Sequence, residues 1–245
     1  LTEDGEVFLP GASKLLQDAN ALKASVQGND VEPEGLIRIS AFESFGRLCI
    51  SPYLPDFLQR YPNLQIEIEL DNRVVDLNSE NVDLAIRIGR PQDSGLHARL
   101  LMSNQTLLCA SPEYLALHGE PKTPEDLSGH NCLRLNQDRQ KTYWYFQKGE
   151  QLKKIPVQGN ITSKGGTPLL EAAIAGAGFV LLSSWMIDLI KQDKLKVCLP
   201  QWQASLYEGS SGEVYAIYHG SKYPKPGVRA LIDFLLEKTQ QRSLL

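Results

Sequence analysis

The sequence has no long hydrophobic run, few cysteines and no excess of basic residues. No apolar stretch approaches the ~18 residues of a membrane-spanning helix, and residues 1–20 lack the basic, apolar and small-residue order of a signal peptide. The four cysteines, Cys49, Cys109, Cys132 and Cys198, form no Cys-x-x-Cys or Cys/His cluster. We therefore expect a cytoplasmic protein with reduced thiols, no disulfide framework, no metal site and no cofactor.

The charge balance is slightly acidic. Twenty-five basic and 29 acidic side chains among 245 residues give a formal net charge of -4 at pH 7. This is the wrong sign for a surface that gains affinity by displacing counterions from DNA phosphates. Hydrophobic residues at 42% and charged residues at 22% are close to globular averages. The composition predicts a folded chain that binds DNA poorly by itself.

Apolar residues near the N-terminus repeat at alternating steps of four and three. The repeat consists of Phe8, Ala12, Leu15, Ala19, Leu22 and Val26. This is a heptad seam, and a seam of two to three heptads is marginal alone, so it predicts a partner helix. An amphipathic helix packed on its own domain is the alternative. The polar stretch 28–35, which contains Gly and Pro, favours a linker and therefore a separate helix.

From residue 36 onward, strand and helix patterns alternate. The first unit has strands at 36–40, 64–70 and 83–89, with helical stretches at 44–60 and 74–79 and a fresh helix start at Ser51-Pro52. The second unit has one strand that ends at 110 and further strands at 132–135, 179–182 and 195–199, with a hairpin near 148–149. Its helices begin at Ser111-Pro112, Thr123-Pro124 and Thr167-Pro168, and another helix covers 184–191. This order predicts parallel pairing with right-handed crossovers.

A last strand, 213–218, and a last helix, 228–238, have no partner nearby in sequence. Returning them to the first unit gives an α/β fold of two lobes joined by two crossovers, near 103–106 and 209–212, with a cleft between the lobes. We therefore divide the chain into a linker helix and a ligand domain of two lobes. The linker covers 1–30 and the domain 31–245, with lobe I at 36–105 and 213–245 and lobe II at 106–212.

Several motifs occur together in the order seen in LysR-type transcription regulators, which the chain resembles over nearly its whole length. They are Leu1-Thr2-x-x-Gly5 before the heptad helix, Phe57-Leu58-x-x-Tyr61-Pro62, Asp83-Leu84-Ala85-Ile86-Arg87-Ile88-Gly89, Cys109-Ala110-Ser111-Pro112-x-Tyr114-Leu115, Pro124-Glu125-Asp126-Leu127, Ala172-Ala173-x-Ala175-Gly176-x-Gly178 and Val228-Arg229-x-x-x-Asp233-Phe234-Leu235. The resemblance implies a fold like that of type 2 periplasmic binding proteins, with a small effector between the lobes. It also implies that residues 1–30 hold the end of a winged-helix region and the linker helix, and that DNA is bound only through a winged helix-turn-helix domain missing from the N-terminus of this sequence.

Two turns are candidate effector contacts because each lies where a helix begins, and unpaired amides there favour an anion. The candidates are Phe42 and Ser44 on lobe I and Ser163, Lys164, Gly166 and Thr167 on lobe II, with Arg90 as a carboxylate ligand and Asn72 included by family position. For each there is a simpler alternative. Ser44 and Thr167 would only cap helices, Lys164 would be a solvated charge, and Arg90 would form an ordinary ion pair.

The resemblance also implies a homodimer or homotetramer, in which the opening helix of lobe I pairs with the 169–175 helix of another copy. The predicted contact residues are Ala12, Leu15, Ala19 and Leu22 on the seam and Leu54, Phe57 and Leu58 on lobe I. The expected function is allosteric binding of a small organic or aromatic acid that changes how the regulator engages DNA. The alternatives are a periplasmic-type solute-binding protein and, less favoured, an enzyme on the same fold, although no Gly-x-Ser-x-Gly elbow or convergent acid/base set is visible.

Overall fold

The computed structural model describes most of the chain from residue 32 onward. The described ranges are 32–73, 80–89, 95–135, 142–188, 193–208, 212–219 and 224–242, together with residue 77 and positions 2, 4, 5, 8, 9, 11, 12, 15 and 19. The described positions from 4 to 19 are helical, as the heptad seam predicts. Predictions made for Leu22, Val26 and Arg90, and for most of 74–79 and 209–212, lie outside the described residues.

The described strands and helices alternate along the chain. The strands are β1 Gly35–Ala41, β2 Leu64–Leu70, β3 Leu84–Ile88, β4 Leu96–Met102, β5 Thr106–Ala110, β6 Cys132–Leu135, β7 Tyr143–Lys148, β8 Gln151–Pro156, β9 Thr162–Ser163, β10 Phe179–Ser183, β11 Lys196–Cys198, β12 Gln203–Ser205 and β13 Val214–His219. The α-helices are α1 Glu43–Phe45, α2 Leu54–Arg60, α3 Pro112–His118, α4 Gly166–Ile174, α5 Ser184–Asp188 and α6 Pro226–Arg242.

Lobe I is built on a sheet with the strand order β2-β1-β3-β13-β4. β1 is parallel to both β2 and β3, as expected for strands joined by helical crossovers. β13 returns from the end of the chain and lies antiparallel between β3 and β4, while α6 packs on β4 and β1. The prediction that the last strand and helix rejoin the first lobe is confirmed.

Lobe II is built on a second sheet with the order β8-β7-β12-β5-β10-β6-β9, and β11 also pairs with β5. β10 is parallel to β6 and antiparallel to β5. The hairpin of β7 and β8 forms one end of this sheet. Within β7, Trp144 and Phe146 are fully buried while Tyr143 and Tyr145 are not, so this aromatic run is an amphipathic strand of the lobe II core.

The helical stretch expected over 44–60, with a new start at Ser51-Pro52, is divided differently in the structure. The three-residue α1 leads into a π-helical turn, Gly46–Ile50, and a 3₁₀ turn, Ser51–Tyr53, before α2 begins. Ser51 donates its hydroxyl hydrogen to the Gly46 carbonyl (2.9 Å), so it does not cap a helix as expected. The physical reason is two prolines in this stretch, Pro52 and Pro55, which lack the amide hydrogen that a continuous helix needs.

Helix α4 also begins differently from the sequence prediction. Its N-cap is Gly165, in an extended conformation (φ -101°, ψ 148°), so Thr167 lies inside the first turn and does not precede the helix. The helix ends as expected, because Gly176 has a φ of +82°, in the left-handed region that favours glycine. By contrast, α3 begins as expected: the Ser111 hydroxyl accepts the Tyr114 amide hydrogen at 3.1 Å.

Phe57 belongs to the core of its own chain. It is fully buried on α2 and packs on Phe234 of α6, with ring centroids 5.3 Å apart, and on Tyr61 at 5.0 Å. The prediction that Phe57 lies on an interface between copies is therefore wrong, since its side chain is not accessible. Leu54 and Leu58 on the same helix are only partly buried.

One hydrophobic cluster runs through both lobes. Phe42 and Phe45 of lobe I pack on Trp185 of α5, with ring centroids 6.0 and 5.3 Å apart, and Leu169 and Leu170 of α4 belong to the same cluster. A separate cluster around Trp144 fills lobe II. In the part of the chain that the structure describes, no helix is long and apolar enough to cross a membrane.

Candidate functional site

The two turns predicted to face a cleft touch each other directly. α1 packs against α4, and Ser44 is 6% exposed. A methyl group placed on Gly166 would stand 3.1 Å from the Ser44 hydroxyl oxygen. This arrangement differs from the open gap expected from the sequence: in this structure the lobes are closed over the candidate site.

The carboxylate of Glu43 crosses the junction between the lobes. One of its oxygens accepts a hydrogen bond from the backbone N–H of Thr167 at 3.2 Å. Arg47, one helical turn away, approaches the other oxygen only to 4.0 Å. The start of α4 was expected to offer free amides to a ligand, but one of them is taken by an acidic side chain of the other lobe.

Asn72 joins the same two turns from the end of β2. Its side-chain oxygen accepts the Glu43 backbone N–H at 2.9 Å, and its amide nitrogen donates to the backbone carbonyl of Lys164. The residue before it, Asp71, is fixed to β1 by a 2.9 Å bond from its amide to the Ala41 carbonyl. Asn72 therefore pairs with lobe I on one side and lobe II on the other.

Ser163 and Lys164 shape the lobe II turn. Ser163 pairs with Leu135 in the β6–β9 ladder, and its hydroxyl accepts the Gly165 amide hydrogen at 3.0 Å. The side chain of Lys164 is exposed, and only its backbone carbonyl is used at the junction. Lys164 thus matches the simpler alternative of a solvated charge.

Two polar groups at the junction are buried without a hydrogen-bond partner among the described residues. They are the hydroxyl of Thr167, which is 5% exposed, and the indole N–H of Trp185, which is 4% exposed. A buried donor without an acceptor costs about 1 to 3 kcal/mol. Such groups are rare in folded proteins and call for an explanation such as a ligand or water.

All the predicted effector contacts except Arg90, which lies outside the described residues, are at this junction. Sequence reasoning missed Glu43 and Trp185. Glu43 stands between Phe42 and Ser44, and an acidic side chain beside a predicted anion site was itself a signal, because it competes with an external anion. Trp185 gave no comparable signal, since its contact with Phe42 and Phe45 joins distant parts of the chain.

Arg87 on β3 is held within lobe I. Its guanidinium donates to the Ser40 carbonyl at 2.9 Å and to the Ser40 hydroxyl at 2.7 Å. Burial lowers the pKa of Arg87, because desolvation disfavours the charged form. These bonds tie β3 to β1.

The four cysteines are buried and unlinked. Burial raises the pKa of Cys109 to about 12, of Cys132 to about 12 and of Cys198 to about 11, because a thiolate is poorly solvated inside the protein. The described residues contain no group of three or more His, Cys, Asp or Glu side chains arranged to hold a metal ion. The expectation of free thiols in the core agrees with this arrangement.

Two α/β lobes with polar residues gathered where they meet define a ligand-sensing domain of the type 2 periplasmic-binding-protein class. Residues 31–240 match the family described as LysR substrate binding domain. The chain belongs to this family and carries the effector-binding region of a LysR-type transcription regulator.

Named relatives are transcription regulators. The HTH-type transcriptional activator TtdR of Escherichia coli (strain K12) is 33% identical over 245 residues, which cover 99% of this chain and 77% of TtdR. The HTH-type transcriptional regulator DmlR of the same strain is 33% identical over 237 residues, covering 96% of this chain and 75% of DmlR.

Solved structures of the same kind agree with the fold. CrgA from Neisseria meningitidis, a LysR-type transcriptional regulator, superposes with a TM-score of 0.76 at 28% identity, covering 98% of this chain and 80% of the CrgA chain. The Vibrio cholerae virulence activator AphB superposes with a TM-score of 0.70 at 25% identity, covering 97% of this chain and 80% of the AphB chain.

Proposed function

We propose that the chain senses a small organic or aromatic acid at the junction of its two lobes. The observation that carries this proposal is the hydroxyl of Thr167 at the start of α4, which is buried without a hydrogen-bond partner among the described residues. A carboxylate at this helix start would supply the acceptor that the hydroxyl lacks, and the partial positive charge of the helix end would favour it over a neutral or cationic ligand. Arg90 stays a predicted further contact.

Binding would act on DNA indirectly. A ligand that binds one lobe arrangement better than another shifts the population toward it, and so changes the geometry in which linked DNA-binding domains meet their operator. We propose that this happens in the cytoplasm, that residues 1–30 form a linker that pairs with another copy, and that residues 31–245 form the sensing domain. The assembly would be a homodimer or homotetramer, with DNA contacted only through a separate winged helix-turn-helix domain.

We do not expect catalysis. Within the described residues the junction presents one carboxylate, hydroxyls, an amide and an indole, and no pair of groups arranged as nucleophile and general base. A periplasmic solute receptor has the same lobe architecture, but the named relatives are regulators of transcription. Regulation therefore accounts for more of the observations than either alternative.

The proposal is tested by a thermal-shift screen of small carboxylic acids against the matching amides and amines. A ligand that binds only the folded state raises the melting temperature, by an amount that grows with the logarithm of its concentration. We expect saturable shifts from one subset of the acids and none from the amides. Hits confined to cationic or neutral compounds would contradict the proposal.

A further inference from the structure

The acid nearest the start of α4 belongs to the protein itself. Glu43 extends from lobe I, and its carboxylate accepts the backbone N–H of Thr167 in lobe II at 3.2 Å. A helix N-terminus carries partial positive charge and stabilises a carboxylate in this position. The protein thus supplies the group that an acidic ligand would otherwise bring to the same amide.

The turn is shaped to leave room for this carboxylate. A side chain at Gly165 would begin with a carbon 2.8 Å from a Glu43 carboxylate oxygen, which is closer than real contacts allow. Gly165 itself has an extended conformation that any residue can adopt (φ -101°, ψ 148°). The backbone does not require glycine here, so its effect at this position is to admit the Glu43 carboxylate.

The same helix start holds a donor that Glu43 leaves unused. Among the described residues nothing pairs with the hydroxyl of Thr167, which is 95% buried beside the amide that Glu43 occupies. A bound carboxylate has two oxygens, and one ligand would pair with both the amide and the hydroxyl. The site therefore offers more hydrogen bonds than the internal carboxylate uses.

We propose that Glu43 is an internal stand-in for the ligand, which holds the two lobes closed by occupying the start of α4 until an incoming carboxylate replaces it. The first part concerns the free protein, and only the replacement by a ligand rests on the proposed function. Replacement breaks a hydrogen bond between the lobes, so it couples ligand binding to the lobe angle. Glu43 also lowers the apparent affinity of the protein for the ligand, because the ligand competes with a tethered acid.

The free protein is examined first, with the full chain and small-angle X-ray scattering. Glu43→Ala removes the carboxylate, and Gly165→Ala displaces it while keeping the acid. Both variants are expected to have a larger radius of gyration than the unmodified protein without any ligand. Glu171→Ala, which removes an exposed acid from α4, is the matched control and is expected to leave the radius of gyration unchanged. Equal radii for all four proteins would overturn the proposal.

Sodium acetate then serves as the probe, in calorimetry at constant ionic strength with chloride as reference. Glu43→Ala is expected to bind acetate at least about tenfold more tightly than the unmodified protein, because no charged group competes for the amide. Gly165→Ala opens the lobes but fills the same space with a methyl group, so it gains no acetate affinity. Acetate binding that is unchanged or weaker in Glu43→Ala would overturn the proposal.

The two proposals fail in different ways. If no organic acid binds the unmodified protein, the proposed function fails while the scattering and acetate results for Glu43→Ala stand. If organic acids bind the unmodified protein and Glu43→Ala equally well, the internal stand-in fails and the proposed function stands. Should circular dichroism show that Glu43→Ala is unfolded, Glu43→Gln keeps the size and loses the charge. A radius and acetate affinity for that variant equal to those of the unmodified protein would then overturn the proposal.

Discussion

Asn72 bridges the two lobes, since its side chain bonds to Glu43 on one side and to Lys164 on the other. Asn72→Ala removes both bonds and is expected to lower the free energy of unfolding by about 1 to 2 kcal/mol. Urea denaturation measures this change. The exposed Asn63→Ala is the control and is expected to stay within about 0.5 kcal/mol of the unmodified protein. Equal losses in the free energy of unfolding for both variants would show that the two hydrogen bonds of Asn72 contribute nothing.

Ser44 has no room to grow in the closed arrangement, because it is nearly buried and its hydroxyl lies close to Gly166. Ser44→Phe is expected to abolish the thermal-shift response to organic acids without unfolding either lobe, since the ring would force the two turns apart. Ser44→Ala keeps the volume and is expected to respond, with weaker binding. A Ser44→Phe protein with native circular dichroism and unchanged ligand affinity by calorimetry would show that the site lies elsewhere.

Asp126 makes the stability of the fold depend on pH, and the sign of this dependence follows from its hydrogen bonds. The backbone N–H groups of Thr123 and Lys122 donate to its carboxylate and lower its pKa below the ordinary value of 3.8. A carboxyl whose pKa is lower in the folded state stabilises the fold above its unfolded pKa and loses that contribution as the pH falls through the folded pKa. The stability difference between the unmodified protein and Asp126→Asn is therefore expected to be constant near neutral pH and to shrink below about pH 3.8, as urea midpoints across a pH series would show.

The residues at the junction were predictable from the sequence to a large extent, but their pairing was not. Helix starts are local signals, and they brought Ser44 and Thr167 into the same hypothesis. The bond between Glu43 and Thr167 joins positions 124 apart in the chain, and no local pattern encodes such a separation. The expectation of vacant amides therefore missed the internal carboxylate.

Secondary structure followed the sequence where hydrophobic periodicity was clear. β2 has the predicted bounds, and β1, β6 and β10 differ from prediction by no more than a residue at either end. β4 was missed because it lies at the edge of its sheet and has exposed residues at several successive positions, so it lacks the alternation that marks a half-buried strand. A new helix start was expected at Ser51-Pro52, but the π-helical and 3₁₀ turns that precede α2 were not, because the apolar spacing over 44–60 is that of an α-helix.

Phe57 is the buried residue of helix α2 and joins this helix to the core. Phe57→Ala is expected to lower the free energy of unfolding by about 3 to 5 kcal/mol, since it leaves a cavity between α2 and α6 where Phe57 meets Phe234. Leu58→Ala, on the same helix but only partly buried, is the comparison and is expected to lose less. Guanidinium denaturation measures both. A small loss for Phe57→Ala would mean that its burial contributes little to this core.

At the scale of the whole molecule, self-association is predicted to use the exposed apolar side chains of the N-terminal helix. Phe8 is 73% exposed and Leu15 is 72% exposed. Leu15→Asp is expected to raise the dissociation constant for self-association at least about tenfold, because a charge replaces an apolar contact in a heptad seam. Leu117→Asp, at a leucine on α3 that is somewhat more exposed than Leu15, is the control. Sedimentation velocity at micromolar concentration measures both, and equal effects would remove the seam from the interface.

The buried cysteines make the chain ready for site-directed labelling. Maleimides react with thiolates, and thiols with pKa values of about 11 to 12 are almost wholly protonated at neutral pH as well as shielded from reagents. A single cysteine introduced at an exposed position of each lobe, such as 67 and 154, would therefore take up a fluorophore or spin label without first removing the native four. Distances between the lobes become measurable in an otherwise unaltered protein.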